Sequence, residues 1–232
     1  MKKKIVILLL IVISLVGLTA CSKKEKSDAL KFKEEYEKIN NEKTSYGTIN
    51  REVSISKDNP FIYKSAEEIN EMIENKETFA VYFGFAACPW CRSVIETLIE
   101  TAKEKGLDTI YYVDVYDIRD QLKLDDNGSV VVDRKGSDAY YKLLENLDNV
   151  LTDYTLTDSD NNSVATGEKR IFAPNVVSII NGKASLLATG ISEKQTDPYA
   201  VLTPEIKKDT KDAFIKVINQ VLHPNICTPD GC

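Results

Sequence analysis

The stretch FAVYFGFAACPWCR, residues 79–92, holds the transition from a buried strand to a helix. Its first seven residues are apolar and rich in aromatic and β-branched side chains, which is typical of a strand buried on both faces. Two cysteines, Cys88 and Cys91, follow the strand. Apolar residues then recur at helical spacing until Gly106, where the helix is predicted to end. A second apolar strand is predicted over 110–115.

The order of strand, Cys-x-x-Cys, helix and strand predicts a right-handed parallel βαβ unit. In such a unit Cys88 lies at the helix N-terminus, where unpaired amides and the helix dipole favour a thiolate. Cys91 follows one turn later and can attack the mixed disulfide that Cys88 forms. Pro89 suits the first helical turn because it has no N–H to lose. We therefore assign Cys88 as the nucleophile and Cys91 as the resolving thiol.

Half of a zinc site is the alternative interpretation of the Cys-x-x-Cys motif. Cys227 and Cys232 would then supply the other two ligands. A zinc knuckle normally lies in a turn, whereas Cys88 and Cys91 lie between a predicted buried strand and an amphipathic helix. The redox interpretation is therefore favoured, and no cofactor is expected.

The N-terminus predicts export and a lipid anchor. Residues 1–21 read as a lipoprotein signal peptide, in which three lysines precede the apolar run 5–17, which is too short to span a bilayer. The ending Leu-Thr-Ala-Cys21 closely resembles a lipobox, whose cysteine is acylated. A plain signal peptide or an uncleaved anchor is the alternative. Residues 22–48 are predicted to be a polar tether, with a surface helix over 30–38 as the less favoured interpretation.

Composition excludes several classes of function. The chain has 232 residues, of which 43% are hydrophobic, so it has enough apolar material to bury a core. Its net charge of −6 argues against binding to nucleic acid, because phosphate backbones repel an acidic protein. The single histidine, His223, excludes a His-rich metal site and argues against a Ser/His/Asp triad.

The chain after the second strand predicts an insertion at about 117–170 within a folded domain over 49–226. Asn127-Gly128 predicts a turn into a short strand, and apolar spacing after Ser137 predicts a helix. Asp158 begins a run with the spacing of a calcium loop, but the glycine and the final glutamate of such a loop are absent. A polar turn is therefore favoured there.

The C-terminal part of the domain predicts a hairpin and a closing helix. Apolar strands over 176–180 and 184–189 are joined by Asn-Gly-Lys, which is typical of an antiparallel hairpin. Pro174, just before the first of them, is consistent with a cis turn, and an ordinary trans proline is the alternative. The last helix is predicted to begin at Thr203-Pro204 and to end at His223.

Taken together, these elements resemble the thioredoxin-like fold over roughly residues 60–222. The expected class is α/β, with a central mixed sheet flanked by helices and an enlarged insertion after the second core strand. The phrase between Tyr82 and Arg92 looks like envelope thioredoxin-like lipoproteins of Gram-positive bacteria. It also looks like the disulfide-handling accessory proteins of bacteriocin export.

This resemblance implies a membrane-tethered thiol–disulfide oxidoreductase that acts on the thiols or disulfides of exported proteins. Pro174 would form a cis-proline loop facing the cysteines, and the backbone of Ala173 would pair with a substrate chain. Pro89 and Trp90 would complete the substrate contact, with a packed aromatic as the alternative role of Trp90. An electron-transfer partner is implied but not identified. A non-catalytic binding module with structural disulfides is the rival interpretation.

The sequence departs from thioredoxin proper at two places. Tyr82 stands where thioredoxin has a buried aspartate, and Glu96 or Asp114 are the candidates to replace that carboxylate in proton transfer. The dipeptide between the cysteines is Pro-Trp rather than Gly-Pro, which leaves oxidase, isomerase and reductase directions open.

The tail 227–232 carries the last two cysteines, Cys227 and Cys232. A structural disulfide that closes a six-residue loop is the favoured interpretation for an exported protein. A second redox pair that exchanges disulfides with Cys88 and Cys91 is the alternative. Metal binding is the third.

Overall fold

The structure is a computed structural model that describes residues 27–44 and 47–224. The predicted signal peptide with Cys21 and the tail with Cys227 and Cys232 lie outside the described residues. The helices are α1 Asp28–Lys38, α2 Ala66–Glu74, α3 Pro89–Lys105, α4 Asp138–Leu147 and α5 Pro204–Leu222. The strands are β1 Phe61–Tyr63, β2 Phe79–Gly84, β3 Ile110–Asp114, β4 Gln121–Leu124, β5 Val130–Arg134, β6 Thr152–Thr157, β7 Ser163–Arg170, β8 Asn175–Ile180 and β9 Lys183–Ala188.

A five-stranded mixed sheet in the order β1-β3-β2-β8-β9 forms the centre of the fold. Strand β3 pairs in parallel with β1 and β2, whereas β8 pairs antiparallel with β2 and β9. Every residue of β2 is buried, as expected for a strand that is covered on both faces. The predicted α/β class, with a central mixed sheet flanked by helices, is confirmed.

Alternate side chains of β2 enter two hydrophobic clusters on opposite faces of the sheet. Ala80 and Tyr82 join the cluster that contains residues of α1, α3 and α5. Val81 and Phe83 join the cluster that contains residues of α2 and α4. Because successive side chains of a strand point to opposite faces, the uninterrupted apolar run of β2 requires helices on both sides.

Strands β2 and β3 with helix α3 form the predicted parallel βαβ unit. Cys88 is the N-cap of α3, and Gly106 is its C-cap with a φ of 77°, a left-handed conformation that glycine adopts at little cost. The helix buries an apolar stripe against the sheet, formed by Val94, Ile95, Leu98, Ile99 and Ala102. This packing fixes the start of α3 relative to the end of β2.

The prediction of a solvated tether over 22–48 is wrong for residues 28–38, which form α1. Phe32 and Tyr36, one turn apart, are fully buried. The Phe32 ring stacks on the rings of Tyr36 and Phe61, with centroids 4.5 and 4.0 Å apart. The apolar stripe of α1 consists of only these two aromatic side chains, and the rest of the segment is largely charged. The composition of the segment therefore does not reveal a packed helix. The folded domain therefore begins with α1.

The sequence prediction also misses β1, which pairs with β3 at the edge of the sheet. A strand of three residues is too short to produce a periodic signal. The insertion consequently follows the third sheet strand of the chain rather than the second. It contains the hairpin β4–β5, the helix α4 and the hairpin β6–β7.

Local predictions inside the insertion agree with the structure. Asn127-Gly128 lies in the turn between β4 and β5, and α4 begins after Ser137, whose side chain caps it. The Asp158 carboxylate accepts hydrogen bonds from the backbone N–H groups of Asp160 and Asn162. The predicted polar turn is thus stabilised by its own aspartate.

The C-terminal elements are those predicted. Strands β8 and β9 form the antiparallel hairpin, and Thr203 caps α5 by accepting a hydrogen bond from the N–H of Ile206. His223 is the C-cap of that helix. Within the described ranges 27–44 and 47–224, each helix is too short or too polar to cross a bilayer.

Candidate active site

The first cysteine of the motif caps helix α3 with its sulfur. Cys88 Sγ accepts a hydrogen bond from the backbone N–H of Cys91 at 3.2 Å, and so satisfies one of the unpaired amides of the helix N-terminus. Pro89 occupies the first helical position, where its missing N–H costs no helical hydrogen bond. Both cysteines are free thiols in this structure. Their position at the junction of strand and helix agrees with the sequence prediction.

A cis peptide bond joins Ala173 to Pro174 directly before β8. The antiparallel register sets Asn175 opposite Phe83, which brings this loop beside the end of β2. The Cys88 thiol donates a hydrogen bond to the Ala173 carbonyl at 3.2 Å. The cis form implied by the resemblance is confirmed, and two motifs far apart in the sequence meet at one sulfur atom.

Access to the two sulfurs is narrow and unequal. Cys88 is 5% exposed and Cys91 is 0% exposed. Trp90 is half-buried against the hydrophobic cluster below it, so it is neither a freely exposed contact nor a fully packed aromatic. Of the two residues, Cys88 is therefore the one that keeps some exposed surface, while Cys91 is completely covered.

The surroundings of the two sulfurs move their pKa values apart. The pKa of Cys88 is lowered, chiefly by a hydrogen bond from the Cys91 side chain, and burial opposes this effect only in part. The amides of Cys91 and Trp90 and the charge of Arg119 lower the pKa of Cys88 further. Burial raises the pKa of Cys91 well above its ordinary value, and the neighbouring Cys88 raises it again. Cys88 is therefore the thiol that ionises first.

The cation that acts on Cys88 comes from the insertion and not from the adjacent Arg92. Arg119, shortly after β3, lies with its guanidinium carbon 5.0 Å from the centroid of the Phe85 ring. Arg92 is buried, and its guanidinium hydrogen-bonds mainly to backbone carbonyls. Its guanidinium donates to the carbonyls of Tyr36, Arg51 and Ala86 and to the side-chain oxygen of Asn40.

Replacement of Arg119 by glutamine is expected to make Cys88 less reactive. Loss of the positive charge removes an attraction for the thiolate, so the pKa of Cys88 rises and less thiolate is present at pH 7. We expect alkylation of Cys88 by iodoacetamide to slow about three- to tenfold at pH 7. In the wild type, the alkylation rate should rise with a midpoint below about 8.5, the value of an ordinary cysteine.

The charge-retaining variant Arg119→Lys is the matched control for this experiment. It should keep most of the wild-type rate, because an ammonium supplies the same charge without the planar guanidinium. Equal alkylation midpoints for the wild type, Arg119→Gln and Arg119→Lys would show that Arg119 has no electrostatic effect on Cys88.

Beneath Cys91 lies a pair of fully buried tyrosines, Tyr82 on β2 and Tyr36 on α1. Their hydroxyl oxygens are 3.0 Å apart and share a hydrogen bond. Tyr82 and Cys91 are both fully buried in the same hydrophobic cluster, and the Tyr82 hydroxyl lowers the pKa of Cys91 against the larger, opposite effect of burial. Burial raises the pKa of both tyrosines well above the ordinary value, so both stay neutral hydroxyls.

The two carboxylates that the sequence offered for proton transfer are bound elsewhere. Glu96 accepts a hydrogen bond from the backbone N–H of Ser54 at 2.9 Å. Asp114 accepts one from the backbone N–H of Tyr116 at 2.8 Å. The side chain that does act on Cys91 is Tyr82, which offers a hydroxyl and not a carboxylate.

Sequence reasoning misses two residues of this site, Tyr36 and Arg119. The spacing of Phe32 and Tyr36, one turn apart in a charged segment, is the signal that indicates a packed helix stripe. Arg119 has no comparable signal. It is one arginine in a polar stretch, and only the path of the chain after β3 brings it towards Cys88.

Metal binding requires more donors than this site contains. Among residues 27–44 and 47–224, no three side chains of His, Cys, Asp or Glu are arranged to hold a metal ion. The zinc alternative needs Cys227 and Cys232, which belong to the part of the chain that is not described.

The features that define the site are two thiols with separated pKa values, a cis-proline loop in contact with the first thiol, and a tyrosine pair behind the second. They are properties of this chain's own geometry. A comparison with protein-family models finds no match for the chain, and neither does a search of curated proteins.

Proposed function

We propose that this protein is a thiol–disulfide oxidoreductase that acts through Cys88 and Cys91. The observation that carries the proposal is the position of Cys88 Sγ at the start of α3. There it accepts the Cys91 N–H at 3.2 Å, lies 3.2 Å from the Ala173 carbonyl, and has a lowered pKa. Structural cysteines in apolar surroundings have raised pKa values, whereas reactive ones are lowered by helix amides and nearby cations.

The exchange follows from the order in which the two thiols ionise. The Cys88 thiolate attacks one sulfur of a substrate disulfide, forms a mixed disulfide and releases the other sulfur as a thiolate. Cys91 then loses its proton and attacks Cys88 Sγ. The Cys88–Cys91 disulfide forms, and the second substrate sulfur leaves as a thiolate that takes up a proton. The reverse sequence transfers the disulfide to a substrate with two thiols.

We further propose that the fold is thioredoxin-like. The strand order β1-β3-β2-β8-β9, with a parallel β2–β3 pair and an antiparallel β8, supports this proposal. The cis-Pro174 loop beside the Cys-x-x-Cys helix supports it as well. On this fold, Ala173 and Trp90 flank the path of a substrate chain, with Pro89 in the first turn below.

The expected substrates are exported proteins, and the expected location is the outer face of the cell membrane. The signal-like residues 1–21 and the lipobox cysteine Cys21 support this part of the proposal. An electron-transfer partner would reset the cysteine pair after each turnover. Mass spectrometry of the membrane-extracted protein tests the anchor: the mature chain should begin at Cys21 and carry the added mass of acyl chains, and a chain without added lipid would contradict lipidation.

Replacement of Cys88 by serine tests the catalytic proposal directly. Serine is nearly isosteric but forms no disulfide, so we expect reduction of insulin and refolding of scrambled ribonuclease to fall about a thousandfold or more, to the uncatalysed level. Circular dichroism spectra of both forms check that the fold is retained. Equal rates for wild type and Cys88→Ser would exclude catalysis through this motif.

A binding module with a structural disulfide is the second candidate. The observation in its favour is that only 5% of Cys88 is exposed, which restricts attack by a bulky substrate. This candidate predicts that wild type and Cys88→Ser are equally inactive in both assays and that partner binding survives the substitution. The oxidoreductase proposal predicts the opposite result for activity.

A further inference from the structure

The buried tyrosine pair behind Cys91 has no part in the exchange chemistry described so far. Tyr82 belongs to β2, and Tyr36 belongs to α1, the helix that precedes the sheet. Both side chains are 0% exposed, and their hydroxyl oxygens are 3.0 Å apart. A hydroxyl that is buried this deeply is normally retained because it has a specific partner.

The Tyr82 side chain is held in place by its neighbours on β2 and β3. Tyr82 and Gly84 lie on the same face of β2, and a Cβ atom at Gly84 would lie 2.4 Å from the Tyr82 hydroxyl oxygen. The absence of a side chain at residue 84 therefore leaves the space that the hydroxyl occupies. Tyr112 on β3 stacks on the Tyr82 ring, with centroids 5.6 Å apart, and prevents it from tilting away.

The direction of the hydrogen bonds follows from which groups can accept. A Cys91 thiolate can only accept, so the Tyr82 hydroxyl must donate to it. The Tyr82 oxygen is then free to accept from the Tyr36 hydroxyl. A donor that itself accepts a hydrogen bond is polarised and becomes a stronger donor. The result is a chain of hydroxyls that runs from α1 through Tyr82 to Cys91.

We propose that Tyr82 is a catalytic residue that stabilises the Cys91 thiolate by donating a hydrogen bond to it, and that Tyr36 is a positioning residue that orients and polarises Tyr82. This inference rests on the proposed oxidoreductase function. In one direction Cys91 must become a thiolate before it attacks the mixed disulfide, and in the other it leaves as a thiolate. One hydrogen-bond donor therefore assists both directions.

In this arrangement, no nearby carboxylate is needed to accept the proton that Cys91 loses. The Glu35 carboxylate on α1 already accepts hydrogen bonds from the hydroxyls of Tyr112 and Tyr63. The titratable and charged groups that act on Tyr82 or Cys91 are Cys88 on α3, Tyr36 on α1, Tyr112 on β3 and Arg119 after β3. Glu35 and Arg92 act one step further out, on Tyr112 and Tyr36. Tyr82 lowers the pKa of Cys91, against the stronger opposing effect of burial.

The test follows the two sulfur steps separately with an aromatic disulfide, dithiobis(nitrobenzoate), in stopped flow. The Cys88 thiolate displaces the first coloured thionitrobenzoate and forms a mixed disulfide. Cys91 then displaces the second one and closes the Cys88–Cys91 disulfide. The full chain is used with Cys21, Cys227 and Cys232 replaced by serine, so that both coloured products arise from the motif.

Tyr82→Phe should slow the second release about tenfold to a hundredfold at pH 7, which is the effect of losing one hydrogen bond to a charged group. The pH at which the second release is half-maximal should rise, and the first release should stay within about twofold of the parent protein. Tyr36→Phe should slow the second release about three- to tenfold. Tyr112→Phe, which removes a buried hydroxyl bonded to Glu35, is the matched control and should leave both releases within about twofold.

The proposal is overturned if the second release in Tyr82→Phe matches that of Tyr112→Phe in rate and pH profile. If Tyr82→Phe does not fold, which loss of the first release would reveal, Tyr36→Phe decides in the same way. Failure of the oxidoreductase proposal would appear differently, as the absence of a rapid first release in the parent protein itself.

Discussion

In the Cys91→Ser variant, we expect substrate proteins to become trapped on Cys88 as a stable mixed disulfide and turnover to fall about a thousandfold or more. The thousandfold loss follows from the proximity of the second thiol, which reacts with an effective concentration far above that of any thiol in solution. Serine retains the backbone N–H that donates to Cys88 Sγ and supplies a hydroxyl in place of the thiol donor. Cys88 therefore stays reactive while resolution is lost.

Non-reducing electrophoresis and mass spectrometry measure the trapped adduct. Its matched control is the same variant with Cys227 and Cys232 also replaced by serine. If the tail cysteines form a second redox pair, the adduct should be short-lived with the tail intact and persist without it. If they form a structural disulfide, the two proteins should behave alike. Full turnover of Cys91→Ser in both backgrounds would contradict the resolving role.

Replacement of Arg92 by methionine is expected to destabilise the reduced protein by about 3–5 kcal/mol, the largest effect on stability that we expect for a single substitution. Arg92 is 1% exposed, and its guanidinium connects α1, the segment before β1 and the loop before α3. Methionine fills much of the volume but donates nothing. The buried carbonyl of Tyr36 and the partly buried carbonyls of Arg51 and Ala86 then lose this donor, and each desolvated acceptor carries a free-energy penalty.

Urea unfolding followed by circular dichroism and by the fluorescence of Trp90, the single tryptophan, measures this change. Lys103→Met on the exposed side of the same helix is the control and should change the unfolding free energy by less than about 0.5 kcal/mol. Arg92→Lys should lose an intermediate amount of unfolding free energy, because one ammonium group cannot reach all the oxygen atoms that the forked guanidinium contacts. An unfolding free energy of Arg92→Met within about 1 kcal/mol of the wild-type value would contradict this stabilising role of Arg92.

The hydrogen bonds of Arg92 explain why its charge has little effect on Cys88. The sequence sets it next to Cys91, which makes it the obvious cation for the site. Its guanidinium is instead bound to Tyr36 and Arg51 carbonyls at 2.8 Å each, so it serves to attach α1 and the following segment to α3. Arg92 is therefore a structural residue although it is adjacent to Cys91 in the sequence, and the cation that lowers the pKa of Cys88, Arg119, lies in the insertion.

The prediction of a solvated tether is wrong over residues 28–38 for a related reason. A tether and a docked helix have the same composition when only two large apolar side chains, Phe32 and Tyr36, are buried. Their burial depends on the rings of Phe61 and Tyr112, which belong to strands that come later in the chain. The sequence of this segment alone does not show that those rings will pack against it.

Local sequence was sufficient for the elements that carry the chemistry. The apolar run of β2, the helical stripe of α3, its capping by Cys88 and Gly106, and the β8–β9 hairpin were all predicted, because periodicity and capping depend on neighbours within a few residues. The tertiary structure alone decided that the Ala173 carbonyl touches Cys88, that the Tyr36 hydroxyl contacts that of Tyr82, and that Arg119 lowers the pKa of Cys88. Those contacts join residues that are distant in the chain, and packing around the sheet, rather than any local pattern, brings them together.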